Sequence, residues 1–363
     1  MANYYCIIMA GGVGSRFWPI SRNSRPKQFL DILGVGRTFL QQTYDRFRSI
    51  IPSENFMVVT AVAYKDLVKE QLPDLLDENI LAEPYRRNTA PCIAYATYKL
   101  HKKDPNATVI VAPSDHVITN ENLFIDTIKN ALDYASKSDK LFALGINPIR
   151  PETGYGYIQI NTNKVEQLNN NTFYDVKTFT EKPNVEIAQT FLDSGEFLWN
   201  SGIFIWNLKT IIKELETYLP EVSEVFKVET YYYTDREDEY IGQIYQDCES
   251  ISIDYGIMEK TDKAWVIKAM FGWSDLGTWN SFYQYCEDDT DENDNLTNVK
   301  YHLLNNVSDS IVLGTNPDKL YAVAGLKDYL LVDTNDALVV CSRKGDDFKN
   351  LITDLNLKKS KFQ

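Results

Sequence analysis

Tyr4-Tyr5-Cys6-Ile7-Ile8-Met9 runs directly into Ala10-Gly11-Gly12-Val13-Gly14-Ser15-Arg16. The first six residues are apolar throughout, without the polar and apolar alternation of a half-buried strand, which is the pattern of a strand covered on both faces of a parallel sheet. Four more such runs follow: Phe56-Met57-Val58-Val59-Thr60, Ile80-Leu81-Ala82, Thr108-Val109-Ile110-Val111-Ala112 and Leu141-Phe142-Ala143-Leu144-Gly145. Helix-length amphipathic segments lie between them. Residues 38–50 put Phe39, Leu40, Tyr44 and Phe47 on one side, and 89–103 opens with Pro91 near its first turn, where proline is tolerated. Successive βαβ units of this kind predict an α/β fold with a doubly wound, mostly parallel sheet.

Beyond residue 150 the pattern becomes mixed, with strand-like stretches at 155–160, 173–180, 202–206 and 264–270, read as a continuation of one domain over 1–286. The acidic run Glu287-Asp288-Asp289-Thr290-Asp291-Glu292-Asn293-Asp294-Asn295 reads as a solvated linker over 287–295. A calcium loop counted from Asp289 would need glycine at Asp294 and glutamate at Lys300, so that reading fails. Residues 296–363 form a small β-rich C-terminal region, with short strands at 311–313, 320–323, 329–332 and 337–340 and a terminal helix over 346–358.

The chain has 363 residues, 44% of them hydrophobic, and a formal net charge of −14 from 37 basic and 51 acidic side chains. A protein that lives on nucleic-acid phosphates needs a basic face, so DNA and RNA are excluded as expected partners. No stretch approaches the roughly 18 to 20 apolar residues of a membrane helix, and no basic leader precedes the first apolar run. No membrane partner is expected. The five cysteines, Cys6, Cys92, Cys248, Cys286 and Cys341, are far apart and form no C-x-x-C pair. They read as small buried hydrophobes in a reducing cytoplasm rather than as a disulfide framework or zinc site.

Ligands of open α/β sheets bind outside the carboxyl ends of the strands. The loops to read are therefore 10–28, 83–90 and 113–117. In the first, glycines directly after a buried strand let backbone N–H groups turn onto a phosphate, while Arg16 and Lys27 supply countercharge. A dinucleotide fingerprint would need a third glycine where Phe17 stands, and no Gly-Lys-Ser/Thr triplet of a Walker A loop is present.

The motifs along the chain resemble those of the nucleotidyltransferases that make nucleotide sugars, and within them the mannose-1-phosphate guanylyltransferases. The resemblance rests on Gly11-Gly12-Val13-Gly14-Ser15-Arg16 with Trp18-Pro19 and Pro26-Lys27-Gln28-Phe29, on Arg87-Asn88-Thr89-Ala90-Pro91, and on Pro113-Ser114-Asp115-His116. It continues through Thr153-Gly154-Tyr155-Gly156-Tyr157-Ile158, Phe179-Thr180-Glu181-Lys182-Pro183, Trp199-Asn200-Ser201-Gly202, Asp254-Tyr255-Gly256-Ile257-Met258-Glu259 and Gly272-Trp273-Ser274-Asp275-Leu276-Gly277. It implies a Rossmann-like nucleotidyltransferase fold and transfer of GMP from GTP to mannose 1-phosphate, giving GDP-mannose and pyrophosphate. It also implies nucleotide contacts from Ala10, Gly11, Gly12, Gly14, Asn88, Thr89, Pro113 and Ser114, and catalytic cations at Arg16, Lys27 and Lys182. Sugar contacts fall on Gly154, Gly156, Glu181 and Asn200, and Mg2+ ligands on Asp115 and Asp275. A homo-oligomer, a dimer, is expected.

The residues suit that chemistry. A sugar 1-phosphate is already an anionic nucleophile, so the protein must hold two like-charged phosphates together and neutralise charge at the α-phosphorus rather than activate a side chain. No Gly-x-Ser-x-Gly elbow is present. On an alternating strand from Trp199, Asn200, Gly202 and Phe204 share one side. Each assignment has a plainer counterpart: a turn or cap for Asp115 and Asp275, a strand-end charge pair for Glu181 and Lys182, hairpin glycines at 154 and 156, and packing for His116. Trp199, Trp206, Trp265, Trp273 and Trp279 are expected in the core rather than as a carbohydrate platform. The chain departs from the family at Asp294, where a glycine usually precedes the asparagine, and at 363 residues the activity of the fused isomerase module of some relatives is not expected. The same chemistry on another hexose 1-phosphate or nucleotide, or a non-catalytic nucleotide-sugar sensor, are the alternatives. The sensor would be expected to lose phosphate or metal residues, and Arg16, Lys27, Asp115, Lys182 and Asp275 are all kept.

Overall fold

The apolar runs fold as β1 (Tyr4–Met9), β2 (Phe56–Ala61), β3 (Ile80–Glu83), β4 (Thr108–Pro113) and β5 (Leu141–Ile146), joined by β6 (Tyr157–Leu168), β7 (Asn171–Thr180), β8 (Phe197–Asn207) and β9 (Ala264–Ala269). These assignments come from a computed structural model that describes residues 3–13, 15–358 and 362. Among them, the chain divides into one unit of Met1–Gly11, Leu40–Ser114 and Ile118–Trp273 and a second of Gly12–Phe39, Asp115–Val117 and Ser274–Gln363.

In the first unit the strands form one mixed sheet in the order β3-β2-β1-β4-β8-β5-β9-β7-β6. All but β7 and β8 run in the same direction. The sequence steps outward from β1 to β3 and then returns to β4 on the other side of β1, pairing Tyr4 with Thr108 and Met9 with Pro113. That reversal is a topological switch point, and it places the crevice at the carboxyl ends of β1 and β4. The helix Thr89–Lys103 is buried from Ala90 to Leu100 because the helices Leu208–Tyr218 and Pro220–Phe226 pack on it as well as the sheet. Trp199, Trp206, Trp265 and Trp279 are buried, as expected of core residues, whereas Trp273 is only half-buried.

Two features of the strands differ from the sequence expectation. β6 and β7 extend into a long hairpin through Asn169 at φ 52°, and the added stretch is mostly polar and is exposed over 162–167, so hydrophobic periodicity could not reveal it. The alternation expected along β8 is interrupted by a bulge against β5, and Gly202 takes φ 70°, a left-handed conformation that favours glycine.

The second unit contains β10 (Leu296–Thr297), β11 (Tyr301–Asn305), β12 (Ile311–Gly314), β13 (Leu320–Ala324), β14 (Tyr329–Asp333) and β15 (Leu338–Ser342). The chain winds as parallel coils: Leu296 pairs with Ile311, Ile311 with Leu330, and Tyr301 with Leu320. β15 then closes β14 antiparallel. Ile311, Leu313, Leu330, Val332 and Val339 fill the interior together with Phe17, Trp279 and Phe282. Asp294, at the family's glycine position, adopts φ 59°, which an aspartate tolerates better than most residues. Asn295 beside it is 1% exposed, donating to the Val307 carbonyl at 2.9 Å and accepting from Ser310 N–H at 3.2 Å. The terminal helix spans Asp347–Leu357.

Candidate active site

At the crevice of the first unit, Ala10 is buried, its N–H donating to the Val59 carbonyl at 2.7 Å and its carbonyl accepting from Thr60 Oγ1 at 2.9 Å. Ser114 N–H donates to the Met9 carbonyl at 3.1 Å, and the Ser114 carbonyl accepts from Thr43 Oγ1 at 3.2 Å. The backbone at Ala10, Pro113 and Ser114 is thus fixed by neighbouring strands and the helix that follows β1. Asn88 stands at φ 68° as the N-cap of the helix Thr89–Lys103, its Oδ1 accepting Thr89 N–H. Thr89 Oγ1 accepts Ile253 N–H at 2.9 Å, and Ala90 N–H donates to the Ile251 carbonyl at 3.0 Å. Arg87 holds this turn by donating from Nε to the Tyr245 carbonyl at 3.0 Å and from Nη2 to the Gln246 carbonyl, at the C-terminal end of the helix Glu237–Asp247, where cations are favoured.

Further along the same unit, Asn200 N–H donates to the Gly156 carbonyl at 2.8 Å. A Cβ on Gly156 would come within 2.6 Å of Glu181 Oε2 and 3.5 Å of Asn200 Cβ, so the glycine leaves these two side chains room to converge. Glu181 pairs with Lys182, whose backbone sits at φ 45°. Gly154 lies in its own turn, donating its N–H to Glu152 Oε1 at 3.0 Å.

The second unit gathers Arg16, Lys27, Asp115 and Asp275 around one cleft of about 380 Å³, lined also by Val13, Phe17, His116 and Gly277. Lys27 is only 4% exposed. Its ammonium contacts Asp115 Oδ2 at 3.2 Å, donates to the Asp275 carbonyl at 2.5 Å, and faces the rings of Phe17 and Phe39 at 5.7 and 5.1 Å. Burial alone would push the Asp115 carboxyl up, but the Lys27 charge, and after it His116, holds it below its ordinary value. The Asp275 carboxylate accepts Gly277 N–H at 3.1 Å and lies where a Gly277 side chain would stand. Gln28 Nε2 donates to the Gly12 carbonyl at 2.7 Å, tying the glycine loop to the Lys27 segment. Gly14 lies outside the described residues.

Two carboxylates in a cleft are hard oxygen donors of the kind magnesium takes, and the residues fit that ion. No cluster of three or more candidate metal ligands occurs among the described residues, so substrate phosphates and water would have to complete its shell.

Two acids were not singled out by the sequence reading. Glu83 ends β3, is buried, and accepts from Tyr245 Oη at 2.9 Å, while a Cβ on Gly11 would lie 3.4 Å from its Oε2. Burial pushes its carboxyl up to about 7 against the pull of Tyr245 and Arg86. Asp254 accepts from Asn200 Nδ2 at 2.7 Å, and burial followed by the neighbouring Glu181 charge pushes its carboxyl up to about 6. The sequence signal for Glu83 is an acid closing an apolar run; Asp254 stands in one of the family-like motifs, without a role attached to it.

The family model described as nucleotidyl transferase matches residues 5–292. A mannose-1-phosphate guanylyltransferase of Escherichia coli is 34% identical, over 97% of this chain and 75% of its own length. One from Salmonella montevideo is 37% identical, over 97% of this chain and 74% of its own. A crystal structure from Thermus thermophilus, described as a mannose-1-phosphate geranyltransferase, superposes with a TM-score of 0.85 over 99% of this chain and all of its own at 24% identity, a likeness of fold.

The raised Glu83 value has a direct consequence for stability. Between pH 4.5 and about 7 the folded chain keeps a proton that the unfolded chain has lost, so this group makes stability fall as pH rises through that window. Glu83→Gln removes the effect. Its unfolding free energy relative to the unaltered protein should rise between pH 4.5 and pH 8 by on the order of 2–3 kcal/mol, measured by urea denaturation. Parallel pH profiles would show that Glu83 is not desolvated in the fold.

Proposed function

The chain belongs to the nucleotidyl transferase family, and on that premise we propose that it transfers GMP from GTP to mannose 1-phosphate, giving GDP-mannose and pyrophosphate. The observation that carries this reading is the buried Lys27 ammonium, set between Asp115 and the Asp275 carbonyl in a cleft that Arg16 also lines. A site that handles several phosphates needs fixed cations whose positions do not depend on substrate, and Lys27 is held by four neighbours.

In the proposed reaction an oxygen of the sugar phosphate attacks the α-phosphorus of GTP in line with the departing group. A new P–O bond forms to the sugar phosphate, the bond from the α-phosphorus to the bridging oxygen breaks, and its electrons leave with pyrophosphate. No proton has to be removed from the nucleophile. Arg16 and Lys27 neutralise charge that builds on the nucleotide phosphates, and Lys182 does the same for the sugar phosphate. Gly154, Gly156, Glu181 and Asn200 accommodate the sugar hydroxyls; the main-chain groups of Ala10, Gly11, Gly12, Gly14, Asn88, Thr89, Pro113 and Ser114 receive the nucleotide. Asp115 and Asp275 would hold Mg2+, which when bound adds positive charge at the reacting phosphates. Pyrophosphate release across a panel of nucleoside triphosphates and sugar 1-phosphates tests the assignment: GTP with mannose 1-phosphate should be the preferred pair, and preference for another pair would redirect it.

We place the protein in the cytoplasm as a homo-oligomer, a dimer. All five cysteines are free, and no described helix is long and apolar enough to cross a membrane. Assembly is assigned to the sheet of β11 and β13, whose outer edges pair with no other strand among the described residues and whose one face exposes Tyr301, Leu303 and Leu320. Leu303→Lys with Leu320→Lys should reduce the mass seen by light scattering to that of one 41.7 kDa chain; an unchanged mass would move the interface elsewhere.

Asp115→Asn and Asp275→Asn should each lower single-turnover transfer roughly 10²- to 10³-fold, by analogy with loss of one transition-state stabiliser, with the fold preserved by circular dichroism. Because both act through one ion, the double variant should be little worse than the worse single one. Losses that multiply would show that the two carboxylates do not share a metal.

A further inference from the structure

Asp254 opens the motif Asp254-Tyr255-Gly256-Ile257-Met258-Glu259, to which the proposed reaction assigns nothing. Residues Asp254–Met258 form a wide π-type turn, a conformation that is rare in helices and recurs near functional sites. Two neighbours fix that turn from outside the sugar-side cluster. Ile253 N–H donates to Thr89 Oγ1, and the Ile251 carbonyl accepts Ala90 N–H, both at the start of the helix Thr89–Lys103. Within the turn, Gly256 packs so closely that a Cβ would meet Leu219 Cδ1 at 2.7 Å. The carboxylate is therefore carried on a mount with little freedom.

Its target is the Asn200 side chain. The amide of Asn200 has its oxygen engaged by Gly202 N–H at 3.0 Å and its nitrogen donating to Asp254 Oδ1 at 2.7 Å. An amide has two N–H groups and two acceptor lone pairs, so these bonds fix which end points where and leave one of each for a ligand. Gly202 N–H, which only the amide oxygen can accept, and the Asp254 carboxylate, to which only the amide nitrogen can donate, select the same orientation, and the carboxylate alone anchors the nitrogen end. Glu181 lies near enough to Asp254 to raise its carboxyl, so two carboxylates lie in the neighbourhood of Asn200. Like charges packed together oppose folding, and such arrangements concentrate at functional sites.

We infer that Asp254 is a positioning residue for the sugar phosphate: it orients the Asn200 amide so that its second N–H and remaining lone pair meet the sugar hydroxyls beside Gly156 and Glu181. Asp254 touches no substrate in this scheme and works through Asn200 alone. The inference rests on the sugar-side reading of Asn200 and extends it by naming what aims that side chain.

The test is steady-state kinetics with each substrate varied in turn. Asp254→Ala should raise the KM for mannose 1-phosphate roughly tenfold, the scale of one lost hydrogen bond, while the KM for GTP stays within about twofold. Asp254→Asn, whose amide oxygen still accepts from Asn200, should recover most of the loss. Asn200→Ala alone should raise the sugar KM, and Asp254→Ala added to it should change nothing further. Should the alanine variant not fold by circular dichroism, Asp254→Ser is too short to reach Asn200 and is expected to give the same split. Multiplying losses in the double variant, equal rises in both KM values, or an unchanged sugar KM in Asp254→Ala where Asn200→Ala raises it, would each overturn the inference. An Asn200→Ala enzyme with unchanged sugar KM would instead remove the reading of Asn200 on which it stands.

Discussion

The in-register parallel pairing of β1 with β4, beside the pairing of β1 with β2, is the constraint on which the first unit depends. A parallel ladder cannot be closed by a tight turn, so each strand must be followed by a crossover, and all carboxyl ends collect on one edge. Because β1 is paired on both sides and buried through its middle, the chain can leave only at Ala10 and Ser114, whose backbone groups are already bonded to neighbouring strands. The helix Thr89–Lys103 brings its N-terminus to that edge for the same reason. Geometry that would otherwise need many side-chain contacts is thereby set by the sheet.

In each unit the charges are set before any ligand arrives. In the second unit one ammonium is withdrawn from solvent against two aromatic rings and a carboxylate. In the first, Glu83 and Asp254 are carboxyls held in places that resist their charge. Burying such groups lowers stability, so their arrangement is better explained by what they orient than by what they hold together. The hydroxyls and the amide that fasten the loops, those of Thr60, Thr43 and Gln28, do the opposite: each donates to a backbone carbonyl from a neutral side chain.

What the sequence made legible follows from how local each signal is. β1 to β5 could be read because burial on both faces leaves an uninterrupted apolar run. The polar end of the β6 and β7 hairpin could not, since its residues face solvent on a ladder that only the partner strand defines. The bulge in β8 was equally hidden, because Gly202 looks like any glycine until its neighbour in β5 is known. In the tail the short strands at 311–313 and 329–332 were readable as strands, but their parallel pairing was not, because register between coils is a non-local property. For the candidate site, glycines followed by Arg16 and Lys27 announce a phosphate loop within one stretch. Glu83 at the end of an apolar run and Asp254 within its motif carry no role in the sequence, and only the folded chain shows Tyr245 and Asn200 against them.

The coiled winding of β10 to β14 has a consequence for how this part of the molecule can vary. Ile311 is paired with Leu296 on one side and Leu330 on the other, so each coil meets mainly its neighbours and stability is approximately a sum of nearest-neighbour terms. A segment built in this way can gain or lose a whole winding without repacking the rest, since the new coil only has to match the one beside it. β15, running against β14, ends that freedom on one side by covering the last exposed edge with a strand of opposite direction. The architecture therefore tolerates insertion in units of one turn of the chain and resists insertion of a fraction of a turn, which would shift every following residue to the wrong face.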